Sequence, residues 1–484
     1  MQMRFRLLYA PLLCVLVALV ISCDDYDKWT TDPQDRLAMS TDTLAWDTLI
    51  STVPSTTKVL TVYNRGDRGV RISKVMLGKR AQSPFRVNVD GQSLYQGEGT
   101  DFEVRRKDSI VVRLECTLPE TGKSEPVRME DELLFTLESG VQQRVLLMAD
   151  AQDAYMIRGM VLQHDSVFLT DKPYVIYDSL KVDSGVELTL PAGTTLMFHD
   201  KAGLDVHGTL TALGELERPV TFRGDRTDRM FPYLPYDNTP GRWEGIRLRS
   251  SSVDNRMQHC DVHSGKYGII CDSTSLETVQ LTMENSVIHN IAGDGLHLKG
   301  TSAVVANTQI SNTQGTTVYI YGGAYQFIHC TIAQFYPFDA ERGDALYLAN
   351  QVDSVYNHLY MAHFINCVIT GYGDDVIMGS ILEGQDYVCD YLFDHCYLNT
   401  PAVENDERYV GVVWDDEDQP LRHEKNFRLF DTDNFLYDFT PDSLSTIRNM
   451  ALPEAAALYP NDRLGRCRQC DSIPDAGCYE YLVP

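Results

Sequence analysis

Several groups of residues in this 484-residue sequence could do chemistry. Gly373-Asp374-Asp375 sets two carboxylates side by side, and paired carboxylates act as acid and base in glycoside hydrolysis. Asp415-Asp416-Glu417-Asp418 is a run of the oxygen ligands that calcium takes. His259, His329 and His395 invite a reading as proton carriers or metal ligands. Phe231, Tyr233, Tyr236 and Trp243 crowd in and just after a proline-rich loop, and could offer rings to a sugar face or a protein partner. Cys467 and Cys470 make a C-x-x-C, half of a zinc site, with Cys478 close behind.

Each group also has a plainer reading. The Asp pair precedes Val376-Ile377-Met378 as an acidic turn before a strand. The acidic run lacks the spacing of a calcium loop. No Lys or Arg can be assigned as a lyase base from spacing, and no second half of a zinc site accompanies the C-x-x-C. Two of the three C-terminal cysteines could instead pair in an oxidising compartment. The aromatic residues could fold back as packing. Gly293-Asp294-Gly295 reads as a turn between strands rather than a nucleotide loop. The expectation is no catalytic set, no metal and no cofactor beyond an open place for calcium.

The histidines are explained by the element that positions them. A six-residue unit recurs: a large apolar residue, any residue, His or Asn, a small residue, any residue, then Ile, Leu or Val. It appears at Met257-His259-Cys260-Val262, Met283-Asn285-Ser286-Ile288 and Val305-Asn307-Thr308-Ile310. It returns at Phe327-His329-Cys330-Ile332, Phe364-Asn366-Cys367-Ile369 and Phe393-His395-Cys396-Leu398. Steps of 26, 22, 22, 37 and 29 residues separate the copies, as in a solenoid. On a continuous strand the large residue and the small one would face opposite sides. A bend at His or Asn brings both inside, and these residue types tolerate left-handed backbone. Stacking would then place Cys260, Ser286, Thr308, Cys330, Cys367 and Cys396 in one interior column. The step of about 22 suits a coil of a right-handed parallel β-helix, with longer steps as inserted loops.

The formal charge of −26 argues against nucleic acid and polyanions, and is compatible with neutral glycans, proteins or divalent cations. Arg4 and Arg6 precede an apolar run too short to span a bilayer, so 1–22 reads as a signal peptide. Val20-Ile21-Ser22-Cys23 resembles the bacterial lipobox, which implies lipidation at Cys23. Asp24, Asp25 and Asp27 resemble the surface-export signal of Bacteroidota lipoproteins. Residues 23–40 are then expected as an acidic tether.

Short β-branched runs separated by turn signals fill 41–153 and suggest an immunoglobulin-like β-sandwich. TVYNRGDRGVRISKVML and DELLFTL are similar to the sandwich domains that precede β-helices in Bacteroidota lipoproteins. LTLPAGTTLMF…GLDVHGTLTALGELERPVTF resembles the opening coils of bacterial right-handed β-helices of the pectate-lyase-like superfold. The ending PDAGCYE is similar to that of the same lipoproteins. The β-helix is placed at 154–400 and an irregular C-terminal cap at 401–484. The Asp pair matches a string of β-helix polygalacturonases, but their Gly-His-Gly and basic Arg-x-Lys are missing.

The fold class expected is therefore all-β, a sandwich followed by a solenoid. The function expected is a non-catalytic, lipid-anchored outer-membrane protein facing outward. It would be a rigid platform for a glycan, a host surface or an outer-membrane protein complex. The alternative is a polysaccharide lyase or glycosidase at the cell surface.

Overall fold

The computed structural model describes residues 28–384, 386–415, 425–470 and 473–481. The signal peptide, Cys23, Asp24, Asp25, Asp27 and Asp416 to Asp418 lie outside them. The chain is all-β and divides into two compact units, 1–152 and 153–484.

The first unit is a sandwich of a six-stranded and a five-stranded sheet. Alternating residues of Lys58–Tyr63, Gly69–Leu77, Ser109–Cys116 and Val127–Leu137 point into a shared apolar core. The tether expected over 23–40 is corrected for its described part. Trp29–Thr30 pairs parallel with Gly69 and Val70, and Ala38–Met39 pairs with Val62 and Tyr63. Leu37 is buried, bracketed by the side-chain amide of Gln143. Open sheet edges have taken up the few apolar residues of a polar stretch. Gly69 is small because a Cβ there would meet the Trp29 ring at 2.6 Å.

The second unit is a parallel β-helix with three sheets. Ten strands from Ser166–Val167 to Tyr409–Val410 make the first sheet. The second runs from Thr195–Phe198 through Cys260–His263 and Val287–Ile291 to Val413–Trp414. The third runs from Leu204–Val206 through Leu296–Lys299 to Ile377–Ser380. The long strand Tyr174–Val182, itself paired with Tyr155–Leu162, leads into both of the latter, pairing with Thr195–Phe198 and then with Leu204–Val206.

The bend of the repeat is where the sequence puts it. His259, Asn285, Asn307, His329, Asn366 and His395 all have φ between 45° and 57°. The column of small residues behind them is fully interior. Its chemistry explains why it is Cys, Ser and Thr. The bend interrupts the strand ladder and leaves a peptide N–H to be satisfied. Cys260 N–H donates to Ser286 Oγ at 2.9 Å and Ser286 N–H to Thr308 Oγ1 at 3.4 Å. Cys330 N–H donates to Cys367 Sγ, and Cys367 N–H to Cys396 Sγ, each at 3.4 Å. Beside this column Phe327, Phe364, Phe393 and Tyr409 stack at centroid spacings of 4.9, 5.0 and 5.4 Å.

The cap expected over 401–484 is corrected. Tyr409–Val410 and Val413–Trp414 continue the coils. The described residues beyond 425 dock along the side of the β-helix instead. Ile447, Ala476, Cys478 and Tyr479 pack on the outward residues Ala333, Val368 and Tyr397 of the second sheet. Asn307 donates to the Asn461 carbonyl at 2.9 Å, and Asn366 exchanges two hydrogen bonds with the Leu452 backbone. The side chains of the left-handed turns thus hold the end of the chain.

Candidate functional site

The second and third sheets meet at a corner where most connections are short. Two are long: the loop 226–241, after strand Val220–Gly224, and the loop after Thr331–Gln334. The first carries most of the aromatic residues singled out above, and the structure separates them. Trp243 is corrected: it is 1% exposed, stacks on Phe198 at 4.4 Å, and donates Nε1–H to the His263 carbonyl at 2.8 Å. It is a core residue because the chain re-enters the coil there, and it cannot meet a ligand. Tyr236 is half-buried, its ring covered by the Arg226 guanidinium at 3.5 Å and flanked by Arg242 at 5.1 Å. Phe231 and Tyr233 are 49% and 51% exposed and stack on each other at 5.6 Å.

That pair continues into a track of rings. Tyr233 stacks on Phe435 at 6.2 Å, and Phe435 on Phe338 at 5.0 Å. Phe338 belongs to the second long loop, and Phe435 to the turn between Phe427–Asp431 and Leu436–Pro441. Neither was picked out from the sequence. They lie far apart along the chain, and only the docking of the C-terminal hairpin brings them together.

Beneath the base of loop 226–241 lies a polar cluster on the outward face of the second sheet. Asp261 and His263 share one strand, and His289 is the direct register partner of His263 on the next coil. His263 Nδ1 is 2.8 Å from Asp261 Oδ1, and His289 Nε2 is 3.3 Å from the same oxygen. His263 Nε2 is 3.0 Å from Asp237 Oδ1 on the loop, and Asp237 also binds Arg223 at 2.8 Å. The two imidazoles stack at 4.9 Å. Burial alone would drive the His263 imidazole down, but the charges and hydrogen bonds of Asp261 and Asp237 outweigh it and lift it to about 9. Burial works against ionised Asp261 too, yet His263 and His289 hold its carboxyl well below the usual range. Asp261, His263 and His289 have side-chain donor atoms that all lie within 4.8 Å of one another. The sequence carried a signal for them: both histidines stand three residues after the small residue of successive repeats.

The other candidates do not converge. His259, His329 and His395 occupy turns of different coils. His395 meets Asp394 at 2.7 Å, and His329 is enclosed under the C-terminal segment beside Asn366. Asp374 and Asp375 sit in an exposed turn, where Asp375 accepts from Thr400 Oγ1 at 2.6 Å. Asp344 stands one coil away from Asp375, each two residues before the register partners Leu346 and Ile377. Burial, and then the charge of Asp375, push the Asp344 carboxyl up. Asp294 accepts the Thr316 N–H at 2.9 Å as part of its turn. Of the acidic run, Asp415 alone is described, and its N–H continues the ladder to Leu398. Cys467 and Cys470 form a disulfide with a Cα–Cα distance of 5.5 Å, while Cys478 is a buried thiol.

Known proteins resemble parts of the chain. A protein of unknown function from Porphyromonas gingivalis W83 is 13% identical, covering 27% of this chain and 60% of that one, with a TM-score of 0.17. The chain thus spans about 60% of that protein's length. A PapD-like domain of human CEP192 is 13% identical over 26% of this chain and 90% of that one, with a TM-score of 0.17. The catalytic unit of a GH87 α-1,3-glucanase from Streptomyces thermodiastaticus strain HF3-3 is 9% identical over 70% of this chain and 73% of that one, with a TM-score of 0.25. These likenesses are too slight to carry an argument about activity. No curated protein matches the chain. Residues 267–363 match the family described as the right-handed β-helix region.

Proposed function

We propose that this protein is a non-catalytic, lipid-anchored protein of the outer cell surface whose β-helix is a rigid platform for binding a glycan. The observation that carries the reading is the half-exposed Phe231–Tyr233 stack, on a loop pinned to the coils by Asp237 and continued by Phe435 and Phe338. Flat apolar rings on a loop held from below match the apolar faces of sugars. The acidic excess belongs to this unit: 153–484 holds 47 Asp and Glu against 23 Lys and Arg, whereas 1–152 holds 21 against 19. That charge favours a neutral glycan over an acidic one.

The anchor is Cys23, and Asp24, Asp25 and Asp27 direct the protein to the outer face of the membrane. The immunoglobulin-like sandwich is a spacer or docking module between the anchor and the platform. An exposed Cys467–Cys470 disulfide supports an oxidising compartment outside the cytosol. The test is binding of the full chain to a panel of neutral and acidic polysaccharides, with Phe231→Ala/Tyr233→Ala alongside. Retention of a neutral polysaccharide that the double variant loses is expected. Binding to none, with a membrane protein co-purifying instead, would replace the glycan by a protein complex.

A second reading, a surface glycosidase, has one observation in its favour: the adjacent Asp344 and Asp375 with the former carboxyl raised.

A further inference from the structure

We propose that Asp261, His263 and His289 bind a first-row divalent cation of the zinc class, with Asp237 orienting one of the two imidazoles. The inference is independent of the glycan reading.

The argument begins with one oxygen. Asp261 Oδ1 is approached by His263 Nδ1 at 2.8 Å and by His289 Nε2 at 3.3 Å. His263 has only one proton to give when neutral. Its Nε2 faces the Asp237 carboxylate at 3.0 Å, which takes that proton. Nδ1 is then a bare lone pair 2.8 Å from a carboxylate oxygen, and two such acceptors stay together only with a positive centre between them. In the metal-free protein a second proton does this; a divalent cation does it by displacing that proton.

The donor set is that of a zinc site. Two imidazole nitrogens and one carboxylate oxygen converge, and imidazole suits zinc and its neighbours rather than calcium or magnesium. The carboxylate on the far nitrogen of a ligating histidine is the usual outer partner, fixing tautomer and ring orientation. Here it is Asp237, itself held by Arg223 at 2.8 Å. All three ligands stand on neighbouring strands, His263 and His289 in direct register, so their spacing is set by the sheet. The His263 side chain is 8% exposed, those of His289 and Asp261 24% and 33%, which leaves one side open for water.

Charge is compatible. Arg223 binds Asp237 at 2.8 Å and feels the charges of Asp261 and Asp225, and the charge of Asp261 also reaches Arg463 of the C-terminal segment. With both histidines neutral, three carboxylates stand against two guanidinium groups, a net negative charge that a cation relieves. The cation would also clip loop 226–241 to the coils, because Asp237 is the loop's own residue.

The test is zinc and cobalt(II) binding to full-length protein stripped with a chelator. Wild type is expected to take up one equivalent of zinc at least ten-fold more tightly than His289→Gln, a change at a partly exposed position. Asp237→Asn, which touches no metal, is expected to weaken binding about 10–100-fold. Cobalt(II) at one equivalent is expected to give visible absorption bands of a site with nitrogen ligands. Thermal melts of both variants establish that they fold. Zinc uptake by wild type no tighter than by His289→Gln overturns the proposal. If His289→Gln does not fold, the absence of those bands in wild type overturns it instead, leaving a cluster held together by a proton.

Discussion

Arg468 donates from its guanidinium to Asn307 Oδ1 at 2.8 Å, joining the end of the chain to a turn residue 161 positions earlier. Arg468 is fully buried, also donates to the Gly477 carbonyl at 3.0 Å, and pairs with Glu480. A buried charge that loses its partner is expensive, whereas exchanging the whole pair for apolar groups is cheap. Arg468→Met is expected to destabilise the β-helix unit by about 3–5 kcal/mol. Arg468→Met/Glu480→Leu is expected to recover only part of that loss, because Asn307 Oδ1 and the Gly477 carbonyl still lose their buried donor. Chemical denaturation of the three proteins measures both.

The Cys-Ser-Thr column makes a second prediction. Cys367 Sγ accepts the Cys330 N–H, and in Cys367→Ala that N–H is buried without a partner. The expected loss is about 1–3 kcal/mol. Cys367→Ser keeps an acceptor and is expected to lose less. Burial holds the Cys330 and Cys367 thiols well above the usual range, so neither should react with an alkylating reagent in the native protein.

The same periodicity explains what the sequence revealed and what it hid. A left-handed turn tolerates few residue types, so six turns wrote His or Asn into the sequence at a fixed distance from a small residue. That made the coils legible one by one. Asn307 and Asn366 were fully accounted for by their turns, so their second task, holding residues 452–477, left no separate trace. His263 and His289 hold the same place in successive repeats, three residues after the small residue, but they face outward, where the turn that shapes the repeat does not dictate the residue type. For Trp243 the sequence left packing and recognition both open, because aromatic residues suit a loop and a core equally. Trp29 and Leu37 sit in a polar stretch whose composition says tether; only the open sheet edges that receive them say otherwise.

His329 ties pH to this docking. Its Nε2 accepts from Asn366 Nδ2 at 2.9 Å, which requires the neutral ring. Burial, and then the charge of Arg468, hold its pKa well below the usual value. The unfolded chain takes up a proton near pH 6.5 that the folded chain refuses. Stability from this residue is therefore present above about pH 6.5 and lost as pH falls below it. His329→Asn keeps a residue suited to the left-handed turn but cannot titrate. Between about pH 6 and pH 5 wild type is expected to lose up to about 1.4 kcal/mol per pH unit more than the variant. Urea denaturation across that range checks it.

The aromatic loop separates binding from stability. Phe231→Ala and Tyr233→Ala remove half-exposed rings and are expected to leave the melting temperature within a few degrees of wild type. Each is expected to weaken glycan binding by about ten-fold, the effect of a moderate aromatic hot spot. Trp243→Ala empties a core position and is expected to cost about 3–5 kcal/mol. Calorimetry of binding and of unfolding reads the two effects side by side.

Asp344→Asn decides between platform and enzyme. Neighbouring strands lie about 4.8 Å apart, so carboxylates on adjacent coils can approach the roughly 5–5.5 Å of a retaining glycosidase. A raised Asp344 with a second carboxyl, Asp375, on the next coil would suit an acid and its partner. Yet Asp375 is already engaged by Thr400 and by the Ile377 N–H at 3.3 Å, as a turn carboxylate would be. A carboxyl whose folded pKa is raised is strained in its charged form at neutral pH, and the strain eases as pH falls. On the platform reading, Asp344→Asn removes that strain: stability at pH 7 is unchanged or higher, and neither protein cleaves a polysaccharide. If wild type releases reducing sugar and the variant does not, while both bind the glycan equally, the platform reading fails and Asp344 is the general acid of a surface glycosidase.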